Sequence, residues 1–477
     1  MMERLYPYPE MKRTGMSWLP TIPVHWQVRR NGRLFGIRKE TGYPDLPVLE
    51  VSLHTGVRVR NFENGGRKQR MTDRSKYQRA LRGDIAYNMM RMWQGAVGVV
   101  PTEGLVSPAY IVARPFSETI ARYYAYLFRT AAYMREVEIY SRGIVPDRNR
   151  LYWESFKQIS SVYPPSEEQR AIATFLDWHS GLTAKAIRAK QAVIELLEEQ
   201  KQAVIHRLVT QGIDPTVRLK PSGFAWLGDI PEHWKVVRLR NLIHHVTSGS
   251  RGWSRYASDA GPLFIRIGNL TRSSLDVELE TGVRLNLPKG VNVEADRTRI
   301  QPDDILLSIT AYIGSVAVVP PSVGEAYVSQ HVACCRPKKG AANPKWLGYV
   351  LLSPVGQTHG ILCMYGGTKQ GLSLDDVKNY VILLPPAREQ GILVARIESD
   401  IGVLNGVIRS IHCQIALYRE FRHRLITDVV TGKLDVRAAA ASLPGTAKEI
   451  AALGERKITD DQDYPDGEEP EMEEAVA

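Results

Sequence analysis

The stretch Trp18-Leu-Pro-Thr-Ile-Pro-Val-His-Trp26 decides the fold, because it returns later in the chain as Trp226-Leu-Gly-Asp-Ile-Pro-Glu-His-Trp234. With the flanking matches of Gly15 to Gly223 and Val28 to Val236, eight positions are identical at a constant offset of 208 residues. Eight identities in one register are too many for coincidence. The chain therefore contains two diverged copies of one unit.

The matches keep the same order along the rest of the chain. Glu168-Gln169 after Pro164-Pro165 corresponds to Glu389-Gln390 after Pro385-Pro386, at an offset that has grown to 221 residues. Further matches in the same order are Asp84-Ile85 with Asp304-Ile305, Gly95-Ala-Val-Gly-Val-Val-Pro101 with Gly314-Ser-Val-Ala-Val-Val-Pro320, Val106-Ser107 with Val328-Ser329, and Arg114-Pro115 with Arg336-Pro337. The growing offset indicates a short insertion in the second copy. The residues between the matches differ strongly, which is typical of a common scaffold that carries variable loops.

Each copy predicts a mixed α/β domain. Short β-like runs separated by Gly and Pro occur at residues 48–51, 304–309 and 316–319. Helical patterns occur near residues 123–133 of the first copy and 346–352 of the second.

A long helix is predicted after each Pro-Pro pair, with Ser166-Glu167-Glu168 as a start signal and Gly212 and Gly432 as end signals. Apolar residues recur at heptad spacing, the pattern of a coiled-coil seam. The predicted seam residues are Ile187, Ile194, Leu197, Val204 and Leu208 in the first helix, with Lys190 and Lys201 at two further seam positions, and Leu404, Ile408, Ile411, Ile415, Tyr418, Arg422, Leu425 and Val429 in the second. At about 1.5 Å per residue, Leu404 to Val429 would span roughly 38 Å, close to one turn of DNA. We expect the two helices to pair as a spacer; the alternative is that each packs only on its own domain.

The charge distribution favours a polyanionic partner. Of the 477 residues, 438–477 carry 11 acids against 3 bases, a net charge of -8; since the chain's total is +11, the rest carries 11 + 8 = +19. The acidic tail is poor in apolar residues and is predicted to be disordered. No apolar run is long enough to span a bilayer and no signal peptide is recognisable, so we expect a cytoplasmic protein. The 4 cysteines lack zinc-ligand spacing and are expected to be reduced thiols.

No catalytic motif stands out. The Pro-Pro strings lack the residues that a DNA methyltransferase places around them, and no phosphate-binding loop is present. Asp303 and the string Asp376-Val377-Lys378 could imitate a nuclease's metal-binding carboxylates, but Asp303 aligns with Gly83 of the other copy. The duplicated His25 and His233 are expected to be structural, beside Trp26 and Trp234. His331 follows Ser329-Gln330, and either donates to a phosphate or a base or makes a buried polar bond.

The duplicated Trp-Leu-x-x-Ile-Pro-x-His-Trp stretch, the Pro-Pro-x-x-Glu-Gln helix starts and the closing Val430-Thr-Gly-Lys-Leu-Asp435 together resemble the specificity (S) subunit of type I restriction-modification systems, over roughly residues 13–435. The resemblance implies two pseudo-symmetric α/β target recognition domains separated by two long antiparallel coiled-coil helices. Each domain would read one part of a split site in double-stranded DNA. Two modification subunits, which bind S-adenosylmethionine and methylate adenine, and also restriction subunits would dock on the chain. The chain itself would carry no cofactor, no metal and no catalytic residue.

This resemblance and the sequence signals together predict the domain boundaries. They are an N-terminal extension at 1–12, a first recognition domain at 13–163, a central spacer helix at 164–213, a second recognition domain at 214–384, a distal spacer helix at 385–435 and a disordered tail at 436–477.

Candidate DNA contacts follow from residue chemistry, since Arg and Lys bind phosphate or guanine, Asn and Gln read adenine, and aromatic rings pack on sugars or thymine methyl groups. In the first domain they are Arg58, Arg60, Lys68, Arg70, Tyr87, Arg91, Trp93, Tyr110, Arg142, Arg148 and Asn149. In the second they are Ser250, Arg251, Trp253, Arg255, Tyr256, Arg266, Asn269, Tyr312, Gln330, His331, Lys369 and Gln370. Two other functions stay open: a stand-alone DNA-binding regulator, and the specificity subunit of a related methylation or phage-defence system that lacks the usual nuclease.

Overall fold

The structure, a computed structural model, describes residues 5–53, 55–60, 74–143, 149–280, 282–288, 292–310, 313–364 and 371–444. The chain divides into two compact units. Unit 1 comprises Met1–Lys190 and Cys413–Ala477, and unit 2 comprises Gln191–His412.

Unit 1 is a mixed α/β domain. Its elements are β1 (Met11–Arg13), β2 (Thr21–Pro23), β3 (Gln27–Arg30), β4 (Phe35–Arg38), β5 (Leu49–Ser52), β6 (Gly56–Val59), β7 (Gln78–Ala80), β8 (Ile85–Asn88), β9 (Val97–Val99), β10 (Gly104–Val106), β11 (Tyr110–Pro115), α1 (Ala121–Phe128), α2 (Ala131–Tyr140), α3 (Trp153–Phe156), β12 (Ser160–Tyr163) and the first part of α4 (Ser166–Gln211). A four-stranded antiparallel sheet has the order β4-β11-β8-β9, and strand pairs β1-β2, β3-β12, β5-β6 and β7-β10 surround it. An aromatic core including Phe35, Tyr124 and Phe128 packs on this sheet.

Unit 2 repeats this plan. Its elements are the rest of α4, β13 (Leu219–Pro221), β14 (Asp229–Pro231), β15 (Lys235–Arg238), β16 (Ile243–Ser248), β17 (Ala257–Ile265), β18 (Val283–Leu285), α5 (Asn292–Thr298), β19 (Ile305–Ser308), β20 (Val316–Val318), β21 (Ala326–Val328), β22 (Val332–Pro337), α6 (Pro344–Leu352), α7 (Pro354–Cys363), α8 (Leu374–Lys378), β23 (Val381–Leu384) and the first part of α9 (Ala387–Val430). Asn343 and Ser353 cap α6 and α7, and a proline opens each helix.

The two units share three sheets and differ in the rest. The four-stranded sheet of unit 2 has the order β16-β22-β19-β20, which repeats β4-β11-β8-β9, while β13-β14 and β15-β23 repeat β1-β2 and β3-β12. In place of the pairs β5-β6 and β7-β10, unit 2 has a three-stranded sheet with the order β18-β17-β21. The predicted mixed α/β fold is confirmed, and the copies differ where the sequence has no matches.

Both long helices begin where the sequence predicts and contribute to both units. Within unit 1 they run antiparallel, because Ile172 near the start of α4 shares a core with Val429 near the end of α9, while the Nζ atom of Lys190 donates to Gln414 Oε1 at 2.6 Å. In unit 2, Leu208 near the end of α4 shares a core with Leu393 near the start of α9.

The predicted seam is buried over most of its length. Ile187, Leu208, Ile408, Ile411, Ile415, Leu425 and Val429 are buried, and Ile194, Leu197, Val204 and Leu404 are half-buried. Tyr418 is an exception, since 38% of it is exposed and the Lys190 ammonium lies 5.7 Å from its ring centroid. The seam ends belong to the two domain cores, so the expectation that the helices pair and the alternative that they pack on their own domains both hold in part.

Two predicted boundaries need correction. The segment assigned as an N-terminal extension contributes the buried Tyr8 and the start of β1 to unit 1. The tail expected to be disordered from residue 436 begins with the fully buried Val436 and the short helix α10 (Arg437–Ala441). Both segments are held because Asp435 pairs with Tyr6 across a β-bridge. The acidic residues 449–474 lie outside the described residues.

Candidate nucleic-acid interface

The duplicated His-Trp stretch forms a joint with the helix start in unit 1. His25 Nε2 lies 2.8 Å from Glu168 Oε2, and the Trp26 indole N–H donates to Glu168 Oε1 at 3.0 Å. The Tyr8 hydroxyl donates to the same Oε1 atom at 2.5 Å. Burial raises the pKa of Tyr8 and the hydrogen bond to Glu168 raises it further, so the phenol stays a proton donor. We call these residues joint 1.

Joint 2 repeats this geometry in unit 2. His233 Nε2 lies 2.8 Å from Glu389 Oε2, and the Trp234 indole N–H donates to Glu389 Oε1 at 3.1 Å. The two histidines therefore bind helix-start carboxylates, which confirms the expectation of a structural role.

The glutamine that follows each glutamate ties the helix start to the rest of its domain. Gln169 Nε2 donates to Pro164 O at 2.8 Å, and its Oε1 accepts from Ile120 N at 2.9 Å. Gln390 makes the same two kinds of bond, to Pro385 O and from Asn343 N, both at 2.8 Å. The repeated Pro-Pro-x-x-Glu-Gln pattern thus holds each helix against its own domain.

A helix end also reaches each joint. Gly432, just after α9, lies against Pro23 and Trp26 in unit 1, and Gly212, just after α4, lies against Trp234 in unit 2. Both glycines have positive φ angles, of 75° and 76°. Each domain therefore holds the start of one long helix and the end of the other.

The candidate contact residues of unit 1 lie outside joint 1. In unit 1, Arg142 is exposed, and Arg58, Arg60, Arg91, Trp93, Tyr110 and Asn149 are half-buried. The guanidinium of Arg58 is paired with Glu50 at 2.5 Å, and the Trp93 indole N–H donates to Met90 O. Of the first-domain candidates, Arg142 is the most accessible among the described residues.

Six second-domain candidates meet in one place. A cleft of about 380 Å³ is lined by Ser250, Gly252, Trp253, Ser254, Phe264, Arg266, Ile267, Gly268, Asn269, Ser329, Gln330 and His331. Arg251 and Arg255 are exposed nearby in the chain, and Arg255 Nη2 donates to the hydroxyl of the half-buried Tyr256. The structure therefore gathers residues from three separate stretches of the sequence.

A hydrogen-bonded chain orders one wall of this cleft. Gln330 Nε2 lies 2.8 Å from His331 Nε2, and His331 Nδ1 lies 2.8 Å from Thr310 Oγ1. Because an amide nitrogen can only donate, His331 Nε2 is the acceptor of the hydrogen bond from Gln330. His331 is exposed, so of the two alternatives for this residue the buried polar bond is excluded.

Sequence reasoning missed Ser329 and Thr310. Ser329 could have been found, because it belongs to the repeated Val-Ser pair, whereas Thr310 has no counterpart signal and joins the cleft only through its contact with His331.

Three predicted contact residues belong to the core instead. Tyr87 has no exposed surface because it lies on β8, whose residues are all buried, and burial raises the pKa of its hydroxyl well above the usual value. Trp253 packs on Phe264 and Tyr327, although one side of it lines the cleft. The side chain of Asn269 accepts a hydrogen bond from Arg266 N and donates one to Glu278 O. Tyr87 and Asn269 are therefore not available to contact DNA, and Trp253 contributes only a wall of the cleft.

Six further candidates lie outside the described residues. They are Lys68, Arg70, Arg148, Tyr312, Lys369 and Gln370.

The carboxylates that imitate a nuclease have structural explanations. Asp303 has a positive φ of 69° at the turn where unit 1 has Gly83 with a φ of 91°. Asp376 caps α8 by accepting hydrogen bonds from Ser373. Over the described residues, no group of three or more His, Cys, Asp or Glu side chains could hold a metal ion.

The cysteines are free thiols, as expected. Burial raises the pKa of Cys335 to about 12, so this thiol stays protonated. Among the described helices, none combines the length and apolar character needed to cross a membrane.

Comparison with protein families gives a match in the second half of the chain. The model described as "Type I restriction modification DNA specificity domain" matches residues 231–401. This range starts inside joint 2 and ends within α9, so it lies entirely in unit 2.

Two curated proteins show the extent of the similarity. The chain is 24% identical to the type I restriction enzyme EcoBI specificity subunit of Escherichia coli, over 62% of this chain and 65% of that protein, just under two thirds of its length. It is 23% identical to the putative type I restriction enzyme MjaX specificity subunit of Methanocaldococcus jannaschii, over 87% of this chain and 95% of that protein. The second similarity extends over both units.

The fold is also similar to a solved structure. A chain from a study of the complex assembly and conformational transition of the type I R-M system superposes with a TM-score of 0.58 at 16% identity, covering 87% of this chain and 99% of that one. At this identity the likeness shows a shared fold.

Proposed function

We propose that this chain, which belongs to the family of type I restriction-modification specificity (S) subunits, recognises the DNA sequence for a type I restriction-modification complex. Each unit is a target recognition domain for one half of a split DNA site. Methylation and cleavage are carried out by partner subunits and not by this chain.

One observation carries the proposal: the two units have the same joint and the same four-stranded sheet but different recognition surfaces. The glutamate contacts of His25 and His233 have equal lengths of 2.8 Å. The cleft residues Gln330 and His331, in contrast, stand where unit 1 has Pro108 and Ala109. A scaffold copied twice with unlike loops suits two different half-sites better than a palindrome.

Electrostatics supports DNA as the ligand. Exposed arginines flank the cleft in unit 2, and the chain without its acidic tail is strongly basic. Arginine binds phosphate by charge-assisted hydrogen bonds, and release of the DNA's counterions makes such binding salt-dependent.

The exposed faces of the helices support two copies of a modification subunit. Leu182 on α4 and Val403 on α9 are equivalent at the offset of 221 and are 41% and 69% exposed. Leu196 and Leu417 form a second equivalent pair, both 64% exposed. Apolar side chains that stay exposed at matching positions of both copies indicate two like docking surfaces.

Native mass spectrometry tests this stoichiometry. The wild-type chain should bind two modification subunits, and Leu196→Asp should leave one, because only one of the two surfaces is altered. Gln200→Asp adds the same charge at an exposed position one helical turn away and should keep both. Equal assemblies for the two variants would contradict the docking surface.

The cofactor belongs to the partner in this proposal. S-adenosylmethionine binds the modification subunit, which transfers the methyl group to adenine. This chain only recognises the DNA sequence. A restriction subunit joins the same complex when DNA is cleaved.

Helix length fixes the spacer of the split site. α4 has 46 residues and α9 has 44, and each carries apolar residues at heptad spacing. Deleting one heptad from both helices shortens each by about 10 Å, or roughly three base pairs of DNA. We expect a shorter spacer in the methylated motif, whereas deletion from one helix alone breaks the register of the seam.

Single-molecule methylation mapping tests the function itself. Co-expression of this chain with the modification subunit should produce N6-methyladenine at a split motif, and the modification subunit alone should produce none. Methylation at a continuous motif, or its absence with an active partner, would overturn the proposal.

A further inference from the structure

The cleft of unit 2 contains polar atoms that the fold does not use. Ser250 Oγ, Ser329 Oγ and Gln330 Oε1 are buried, and none has a hydrogen-bond partner within the described part of the chain. A buried polar atom without a partner destabilises the fold, so such atoms are rare in proteins. Three along one cleft indicate that a ligand completes their hydrogen bonds.

The backbone brings the two serines together. Gly249 donates its N–H to Ser329 O at 3.1 Å, and a Cβ atom at Gly249 would lie only 1.8 Å from Val328 O. Only glycine allows the chain before Ser250 to approach this closely. The two hydroxyls are therefore placed by a contact that no other residue type would permit.

Gln330 is held in one orientation. His331 accepts from its Nε2 atom, and Thr310 in turn holds His331, so the Gln330 Oε1 atom remains as an acceptor. An acceptor oxygen needs an N–H or O–H group from the ligand, while the serine hydroxyls can donate or accept. The ligand must therefore present a donor, with further polar groups beside it.

The remaining walls suit a flat ring. Trp253 and Phe264 line the cleft and are 2% and 3% exposed. Arg266, also part of the lining, is exposed and within reach of a phosphate. A nucleotide fits this combination, with its base in the cleft and its phosphate on the arginine.

Unit 1 has no equivalent cleft chemistry. Ser107, the counterpart of Ser329, accepts from Ala109 N through its own hydroxyl, and Pro108 replaces Gln330. The unpartnered oxygens of Ser329 and Gln330 thus have no counterparts at Ser107 and Pro108 of unit 1.

We propose that this cleft binds a single base that has left the stack of the DNA helix, and that Gln330 accepts a hydrogen bond from its Watson–Crick edge. A base edge inside an intact duplex stops at the groove, whereas the three oxygens are buried in the cleft. Bases that leave the stack are held by hydrogen bonds to this edge and by packing on aromatic side chains. The inference rests on the proposed function, because it assigns one base of the second half-site.

A mismatch scan tests this binding with the complete complex of this chain and its modification subunits. Each duplex carries one mismatch in the second half-site, made by changing the partner of the base that is read. Unstacking costs least for a mispaired base. At one position the mismatched duplex should bind about tenfold more tightly than the matched one at fixed salt.

Gln330→Leu should abolish most of this gain, because the base then loses its acceptor. Gln301→Leu makes the same change at an exposed residue of unit 2 outside the cleft and should keep the gain. A mismatch at the methylated adenine can also tighten binding, because that base enters the active site of the modification subunit. Such a gain in affinity does not depend on Gln330.

The inference is overturned if no position of the second half-site other than the methylated adenine shows a mismatch gain that Gln330→Leu removes. Binding of two modification subunits by Gln330→Leu, measured by native mass spectrometry, shows that the variant still folds. Failure of the proposed function looks different, since the wild-type complex would then methylate no split motif.

Discussion

Joint 1 and joint 2 have the same geometry but different surroundings. Glu168 has 4% of its side chain exposed, whereas Glu389 has 28%. Glu168 is less exposed because Tyr8 covers it. The residue of the second copy that corresponds to Tyr8, at the offset of 208, is the exposed Thr216. The N- and C-terminal segments of unit 1 thus close joint 1, and joint 2 is left partly open. Both copies thus keep the glutamate contacts, and the segments around Tyr8 and Asp435 account for the greater burial of Glu168.

Exchange of the first recognition domain is the strongest test of how independent the two halves are. If the proposed function holds, replacing residues 13–163 by the matching segment of a type I specificity subunit should change one half of the methylated motif completely and leave the other half unchanged. In the proposed function each half-site is read by the loops of one unit, whereas the joint geometry is the same in both units. Methylation mapping gives the answer.

A change in both halves would contradict this independence. The matched control is a hybrid in which residues 214–384 are exchanged, and it should change the opposite half. Joint 1 stays intact in the first hybrid because Glu168 is retained and the inserted segment carries its own Trp-x-x-x-Ile-Pro-x-His-Trp stretch.

Removal of the joint glutamate should lower the free energy of unfolding more in unit 1 than in unit 2. Glu168→Ala leaves the buried Trp26 indole N–H and Tyr8 hydroxyl without an acceptor, so we expect a loss of about 4 kcal/mol in the free energy of unfolding of unit 1. Glu389→Ala strands one buried donor, the Trp234 indole N–H, and should cost unit 2 about 2 kcal/mol. Native-state hydrogen exchange at β3 and β15 measures the two units separately.

Glu167→Ala is the control for this pair, because Glu167 is exposed beside Glu168 and should change stability by less than about 0.5 kcal/mol. Equal losses for Glu168→Ala and Glu389→Ala would show that burial by Tyr8 adds nothing to joint 1.

The repeated frame was accessible from sequence because its contacts need particular residues. A tryptophan N–H and a histidine must meet one carboxylate, and a glutamine must reach two backbone groups, so few substitutions keep these contacts. These positions therefore stayed recognisable in both copies. The seam was accessible for a similar reason, since Ile408, Ile411 and Ile415 bury one face of a long helix.

The candidate interface was less predictable. Tyr87 was predicted to pack its ring on DNA, but it lies in a strand whose residues are all buried. Thr310 meets His331 across 21 residues of sequence, and only the strand pairing of β19 with β22 brings them together. Residue type indicates what a side chain can bind, while burial and long-range pairing decide whether it is available.

The two helix-end glycines should tolerate alanine differently. Both have positive φ, so each substitution costs about 1 kcal/mol in backbone strain. A Cβ at Gly432 would also lie 2.4 Å from Pro23 Cδ, whereas at Gly212 its nearest neighbour is Trp234 Cζ2 at 3.4 Å, an ordinary contact. Crowding should add about 1–3 kcal/mol for Gly432→Ala alone.

Hydrogen exchange of the same two strands measures this difference. Gly15→Ala is the control, since Gly15 has a positive φ of 76° and a Cβ atom there would have no neighbour within 4 Å, so this variant should show the strain without the crowding. A larger loss for Gly212→Ala than for Gly432→Ala would contradict the tighter packing of joint 1.

The smallest expected effect concerns two aspartates that follow the helix ends. Asp435 Oδ2 accepts from Arg437 Nη2 at 2.6 Å, and this hydrogen bond lowers the pKa of Asp435 below its usual 3.8. Its counterpart Asp214 accepts from Thr216, which also lowers its pKa, but it is fully exposed. Asp435→Asn should cost unit 1 at most about 1 kcal/mol, because Arg437 is half-exposed and its charge is screened. Asp214→Asn should have no measurable effect.

The pH dependence of that small loss identifies its cause. A carboxylate whose pKa is lowered by folding contributes stability above its ordinary pKa, and the contribution disappears as the pH falls through the lower folded value. The difference between wild type and Asp435→Asn should therefore be full at pH 7 and shrink as the pH falls below 3.8, when the wild-type aspartate also becomes neutral. Chemical denaturation followed by tryptophan fluorescence at both ends of this range measures it. A difference that is independent of pH would mean that the shape of the Asp435 turn, and not its charge, holds the end of the chain against joint 1.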